Sequence, residues 1–175
     1  MAAGKTIAVL GATEKTGIDM ATKLAQENDL FLVVADDSIQ LTSLSEHIHT
    51  AILKAEVEIV NCVRESCWEA DLIILTTPPA EINEVIKKIK EVATQKIVVS
   101  FSDNEGDGSF AFIKGQELQQ LLPYSKVVTA ITNPYSLEIF IAGDNNEAVE
   151  IISNRMKRAG YQSVITESLS AIKLL

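Results

Sequence analysis

Residues 9–18 read VLGATEKTGI and hold the pattern with the clearest chemical use in the chain. A strand, a glycine turn and a helix in that order can wrap a pyrophosphate: the turn lets backbone approach the phosphates, and the helix N-terminus aims N–H groups at them. Gly11 supplies the tight turn, and Gly17 supplies close helix-to-strand packing. Glu14 is the departure. In the spacing G-x-x-G-x-x-G it replaces the middle glycine, and in G-x-G-x-x-G both Ala12 and Glu14 replace glycines. A carboxylate about 5 Å from a phosphate costs roughly 3 kcal/mol at an effective dielectric of about 20, or about two powers of ten in affinity. Lys15 beside it can offset part of that. The turn is expected to survive with a weakened phosphate site.

Asp36 stands 19 residues past Gly17, at the end of an apolar run. An acidic residue there can accept hydrogen bonds from an adenosine ribose and repel a 2′-phosphate, which favours NAD over NADP. The other reading makes Asp36 and Asp37 loop and cap residues.

No acid-base constellation is legible, so no catalytic residue is assigned. His47 and His49 are two apart in an expected helix and face different sides. Glu56 and Glu58 should face solvent from a short strand, while Trp68 and Tyr135 read as packing residues. Cys62 and Cys67 have no neighbouring histidine or further cysteine, so no metal site is expected, and they read as two structural thiols in a reducing compartment, with a disulfide as the alternative. Residues 102–109 (SDNEGDGS) alternate Asp103, Glu105 and Asp107, but Lys114 stands where a calcium loop needs a bidentate glutamate.

The elements that must position these residues follow from apolar runs and periodicity. Strands are expected at 5–10, 30–35, 57–60, 71–76, 96–101, 127–131, 139–142 and 162–166. Helical spacing appears at 16–27, with Ile18, Ala21, Leu24 and Ala25 on one face. A second helix should start at Asp37 or Ser38, where Gln40 can complete a capping box, and run to about His49. Pro78 and Pro79 should end a strand and open a helix bearing Ile82, Val85, Ile86 and Ile89. Residues 146–159 form the last helix, and Gly160 is placed to terminate it. Strands apolar along their whole length, alternating with amphipathic helices, predict an α/β fold. The expected architecture is Rossmann-like, with a doubly wound, mostly parallel sheet and helices on both faces.

The chain has 175 residues, 47% of them apolar, which suits one domain over 1–175. Aromatics make up only 5%, so aliphatic side chains must build the core. The formal charge of −9 argues against nucleic acid and anionic membranes as partners. No signal region and no apolar run of membrane-spanning length is visible, and a cytoplasmic protein is expected.

Several stretches together resemble a known family. KTIAVLGATEKTG, EADLIILTTPPAEINEVI, KIVVSFS, KVVTAITNP and EIFIAGDNNEAVEIISNRMKRAGY are similar, in that order, to the NADP-binding domain of coenzyme F420-dependent (8-hydroxy-5-deazaflavin) NADP oxidoreductases. That group lies within the 6-phosphogluconate and ketopantoate reductase type of Rossmann proteins. The resemblance implies a pyrophosphate wrapped by Gly11, Ala12, Thr13, Glu14, Lys15, Thr16 and Gly17. It implies Thr76, Thr77 and Pro78 beside the ribose and nicotinamide half, with Ser100 at the next strand end where a second substrate approaches. Asn133 and Pro134 occupy the corresponding later loop.

The turn departs from the family at Glu14. The segment ADDS stands where NADP-using relatives carry serine and arginine, and the stretch from Pro134 to Glu138 is short. The implied activity is hydride transfer between NAD or NADP and an unidentified second substrate. A homodimer could supply a missing wall of the second-substrate site. The alternative is a degenerate Rossmann module that binds a nucleotide, or nothing, without turnover.

Overall fold

The computed structural model describes residues 5–11, 23, 29–34, 56–77, 79–103, 115–133, 135–166 and 168–169. The helices expected at 16–27 and from residue 37 or 38 to about 49 lie essentially outside the described residues, as do His47 and His49.

Among the described residues, eight strands form one sheet. They are β1 (Thr6–Leu10), β2 (Leu30–Val34), β3 (Glu56–Val60), β4 (Leu72–Leu75), β5 (Ile97–Asp103), β6 (Lys126–Thr132), β7 (Glu138–Gly143) and β8 (Gln162–Thr166). Their spatial order is β3-β2-β1-β4-β5-β6-β7-β8. β1 to β6 run parallel, β7 is antiparallel to β6, and β8 is parallel to β7. All eight expected strands are present. β5 extends past its expected end because seven of its residues pair with β6.

Strict alternation along buried strands divides the core between the two sheet faces. Ile7, Val9, Ile74, Val99 and Val128 lie on one side, in one cluster with Val149, Ile152 and Met156 of helix α4 (Asn146–Arg158), which packs on β6, β7 and β8. Ala8, Leu10, Ile73, Leu75 and Val98 pack on the other. That second face is covered by α1 (Val63–Glu69), α2 (Pro79–Ile89) and α3 (Gly115–Leu121). Helices therefore lie on both faces, as a doubly wound sheet requires.

α2 buries Ile82, Ile86 and Ile89 as the periodicity predicts, and each such side chain contributes about 1.5–3 kcal/mol. α4 is capped by the Asn145 side chain, which accepts the Ala148 N–H at 2.9 Å. It ends at Gly160 (φ +93°), where the Gly160 and Tyr161 N–H groups donate to the carbonyls of Lys157 and Met156.

α1 and α3 were not expected from the sequence. Each has seven residues and buries only two. Two expectations about aromatics are corrected. Trp68 is 70% exposed, because Ser66 and Cys67 take the buried side of α1. Tyr135 is 89% exposed; its N–H donates to Asn133 Oδ1 at 3.0 Å, an Asx turn that leaves the ring outside. Glu56 and Glu58 are exposed on β3, as expected. Among the described residues, no helix is long and apolar enough to cross a membrane.

Candidate functional site

From β1 the chain winds outward through β2 and β3, then returns to place β4 on β1's other side. The crevice outside the carboxyl ends of two strands so related is where open α/β sheets bind ligands. Leu10 and Leu75 are the last paired residues of β1 and β4, so Gly11 and Thr76 open that crevice together.

Gly11 has φ +85°, in the left-handed region. A Cβ there would lie 2.7 Å from the Thr77 nitrogen and 2.9 Å from the Thr76 carbonyl carbon. The turn after β1 and the segment after β4 are therefore in backbone contact, with no room for a side chain. Thr76 fastens the junction. Its N–H (3.0 Å) and its Oγ1 (2.9 Å) both donate to the Leu10 carbonyl. Thr77 Oγ1 is buried next to this junction and meets no hydrogen-bond partner among the described residues. A group left so costs about 1–3 kcal/mol, which a ligand could recover.

Ser100 stands level with the end of β4, paired with Leu75 and Thr129. It is not at its own strand end, as the sequence suggested. β5 continues to Asp103, and Ser100 is 3% exposed. Its neighbour Thr129 is also buried, and its Oγ1 has no partner among the described residues. α3 begins directly over Thr129: a Cβ on Gly115 would fall 2.4 Å from that hydroxyl. The sequence signalled neither this close approach nor the two hydrogen bonds that Thr76 donates to the Leu10 carbonyl.

The structure thus brings together Gly11, Thr76 and Thr77, with Ser100 one strand away. Ala12, Thr13, Glu14, Lys15, Thr16, Gly17, Asp36, Pro78 and Pro134 lie outside the described residues. Asn133 follows β6 and donates its N–H to the Glu138 carbonyl at 3.1 Å.

A second set of groups with perturbed electrostatics lies away from the crevice: Lys96 stands just before β5, at the amino end of a central strand, and Cys67 is on α1. Lys96 Nζ donates to the carbonyls of Cys67, at 2.7 Å, and Trp68, satisfying the end of α1. Burial holds the Lys96 ammonium below the ordinary lysine range, partly opposed by Cys67 and Asp71. Burial also pushes the Cys67 thiol from 9.0 up to about 12, with Lys96 acting against the shift and Cys62 adding to it. Cys62 and Cys67 are free thiols.

The folded chain keeps the Cys67 proton, whereas the unfolded chain releases it above pH 9.0. This contribution to stability is therefore intact below pH 9.0 and falls by about 1.4 kcal/mol per pH unit as pH rises towards 12. Urea midpoints measured across that window should decline less steeply in Cys67→Ala than in the parent. Equal slopes would refute the shift.

Comparison with known proteins matches the same region. The family model for NADP oxidoreductase, coenzyme F420-dependent, covers residues 6–104. An F420-dependent NADP reductase of Methanocaldococcus jannaschii is 27% identical over 175 residues, spanning 83% of this chain and 76% of the relative. Solved structures share the fold. A proposed F420-dependent NADP-reductase from Arthrobacter sp. fb24 superposes with a TM-score of 0.73 at 20% identity, covering 97% of this chain and 88% of that one. Plasmodium falciparum pyrroline carboxylate reductase with NADP bound gives 0.66 at 12% identity, covering 94% of this chain and 58% of that one.

Proposed function

The chain belongs to the family of coenzyme F420-dependent NADP oxidoreductases, and from that premise we propose that it binds a nicotinamide dinucleotide at the β1–β4 crevice and exchanges hydride with a second substrate there. The observation that carries this reading is the side-chain-free junction of Gly11 with Thr76 and Thr77. In dinucleotide-binding sheets the first glycine makes the tight turn after the first strand. Gly11 makes such a turn packed against Thr76 and Thr77, and the Thr77 hydroxyl, without a partner among the described residues, is left for the ligand.

The proposed roles follow the chain. Gly11, Ala12, Thr13, Glu14, Lys15, Thr16 and Gly17 wrap the pyrophosphate, and Asp36 takes the adenosine ribose. Thr76, Thr77 and Pro78 flank the nicotinamide half, while Ser100 lies towards the second substrate. When bound, the dinucleotide supplies or accepts the hydride. Transfer of hydride between two bound partners needs no protein acid or base, so the residues' work is to hold and orient them. The F420-dependent relatives point to a deazaflavin as the class of second substrate. They also specify NADP, whereas Asp36 supports a preference for NADH over NADPH through repulsion of the 2′-phosphate.

Fluorescence titration with NADH and NADPH tests this. NADH should bind about tenfold more tightly than NADPH, and Asp36→Ser should remove the difference. Glu14→Gly should tighten both by up to about a hundredfold. Binding in Glu14→Gly but not in the parent would mark a site disabled at one position, the non-catalytic alternative. Binding in neither would end the dinucleotide reading.

A further inference from the structure

We propose that β8 is a self-pairing edge, through which two copies of this chain join their sheets antiparallel about a two-fold axis at Val164. β3 and β8 are the outermost strands of the described sheet, and they differ in chemistry. β3 reads EVEIV and exposes Glu56 and Glu58, charges that repel a second copy laid alongside. β8 reads QSVIT, with no charge and no proline. It exposes Val164 (39%) and Ile165 (53%). In a chain of net charge −9, a neutral strand with exposed branched aliphatics is a surface on which two copies can meet without repulsion.

The backbone selects the register. Gln162 N–H donates to the Leu137 carbonyl at 2.7 Å, on the β7 side. In a strand paired in parallel, successive residues direct their N–H and C=O to alternate sides. Gln162, Val164 and Thr166 therefore face β7, while Ser163 and Ile165 present their N–H and C=O outward. A two-fold axis at Val164 sets Ser163 of each copy opposite Ile165 of the other. That makes two hydrogen-bonded pairs and four hydrogen bonds. An axis at Ser163 or Ile165 pairs only one outward residue with itself. The Val164 register also pairs all five residues of β8.

The side chains agree with that register. Val164 would meet its own copy as a non-hydrogen-bonded pair, where side chains come closest. Ile165 would lie over Ser163 of the other copy, on the α4 face, since Ser163 Oγ donates to the Ser153 carbonyl of α4. The interface is isologous and closes at two copies, giving one continuous sheet.

Sedimentation or light scattering over a concentration series should show a twofold rise in mass in the parent. Val164→Lys should remain monomeric with an unchanged circular dichroism spectrum, because the position is at the sheet edge. In a Cys62→Ser background, Val164→Cys should form a disulfide-linked dimer on mild oxidation. Gln162→Cys should not, because in this register it faces Thr166. A monomeric parent at every concentration would overturn the proposal. So would a dimer that survives Val164→Lys, or equal cross-linking at Gln162 and Val164. Nucleotide binding is read separately, so failure here leaves the β1–β4 site untouched.

Discussion

Gly11→Ala should abolish measurable dinucleotide binding and lower folding stability by about 3 kcal/mol. Two effects combine. An L side chain at φ +85° costs about 1–2 kcal/mol in left-handed strain. The added methyl would also sit 2.7–2.9 Å from backbone atoms of Thr76 and Thr77, which cannot rotate away as a side-chain tip can. Relief would come only by separating the two strand ends, and that would stretch the Thr76 bonds to the Leu10 carbonyl. Gly160 separates the terms. Its φ is +93°, but a Cβ there meets nothing within 4 Å. Gly160→Ala should therefore cost only about 1 kcal/mol and leave binding unchanged. Urea midpoints and nucleotide titration of both variants decide the matter. Equal destabilisation would show that contact across the crevice contributes nothing.

Removing either member of the Asp29–Arg155 pair should cost about 3–5 kcal/mol. Arg155 Nη1 reaches Asp29 Oδ2 at 2.6 Å, with side-chain exposures of only 9% and 2%. Asp29 Oδ1 also accepts the Lys5 N–H at 2.9 Å. One carboxylate thus joins the start of β1, the start of β2 and the last turn of α4. Asp29→Ala takes from the buried guanidinium its carboxylate at 2.6 Å, and Arg155→Met takes from the buried carboxylate its counter-charge, leaving it the Lys5 N–H. The expected loss is mainly that of a buried charge deprived of this partner, not the net worth of the pair. The double variant Asp29→Leu/Arg155→Met should therefore recover much of what each single change loses. Additive losses in a double-mutant cycle, or single losses below about 1 kcal/mol, would contradict this account.

The sheet was readable because its strands are uninterrupted apolar runs such as TIAVL, LFLVV and LIIL, and burial on both faces leaves few other sequences possible. α1 and α3 were not, since two buried residues in seven make no period. Trp68 shows the limit of composition: a large apolar residue beside a core strand looks buried, yet one step of 100° around α1 turns it outward. At the site, Gly11 declared itself by type and spacing. The Thr76 clamp did not, because its acceptor lies 66 residues away. Asp29 and Arg155, 126 residues apart, carry no local sign of their partnership.

The reversal at β7 also bears on the order in which the chain can assemble. β6 and β7 are the one antiparallel pair among the described strands, joined by the short turn 133–137, and closing it costs little entropy. Its first and last partners, Val128 and Gly143, are near in sequence. Ile7 and Leu72 are not, and two further strands must be placed between β1 and β4 in the chain. Loop-closure cost alone therefore favours a nucleus in the carboxyl-terminal half over one at the β1–β4 crevice, which is expected to close later. Partly folded chains then lack the crevice, and a ligand that fits it can add weight only to the finished state.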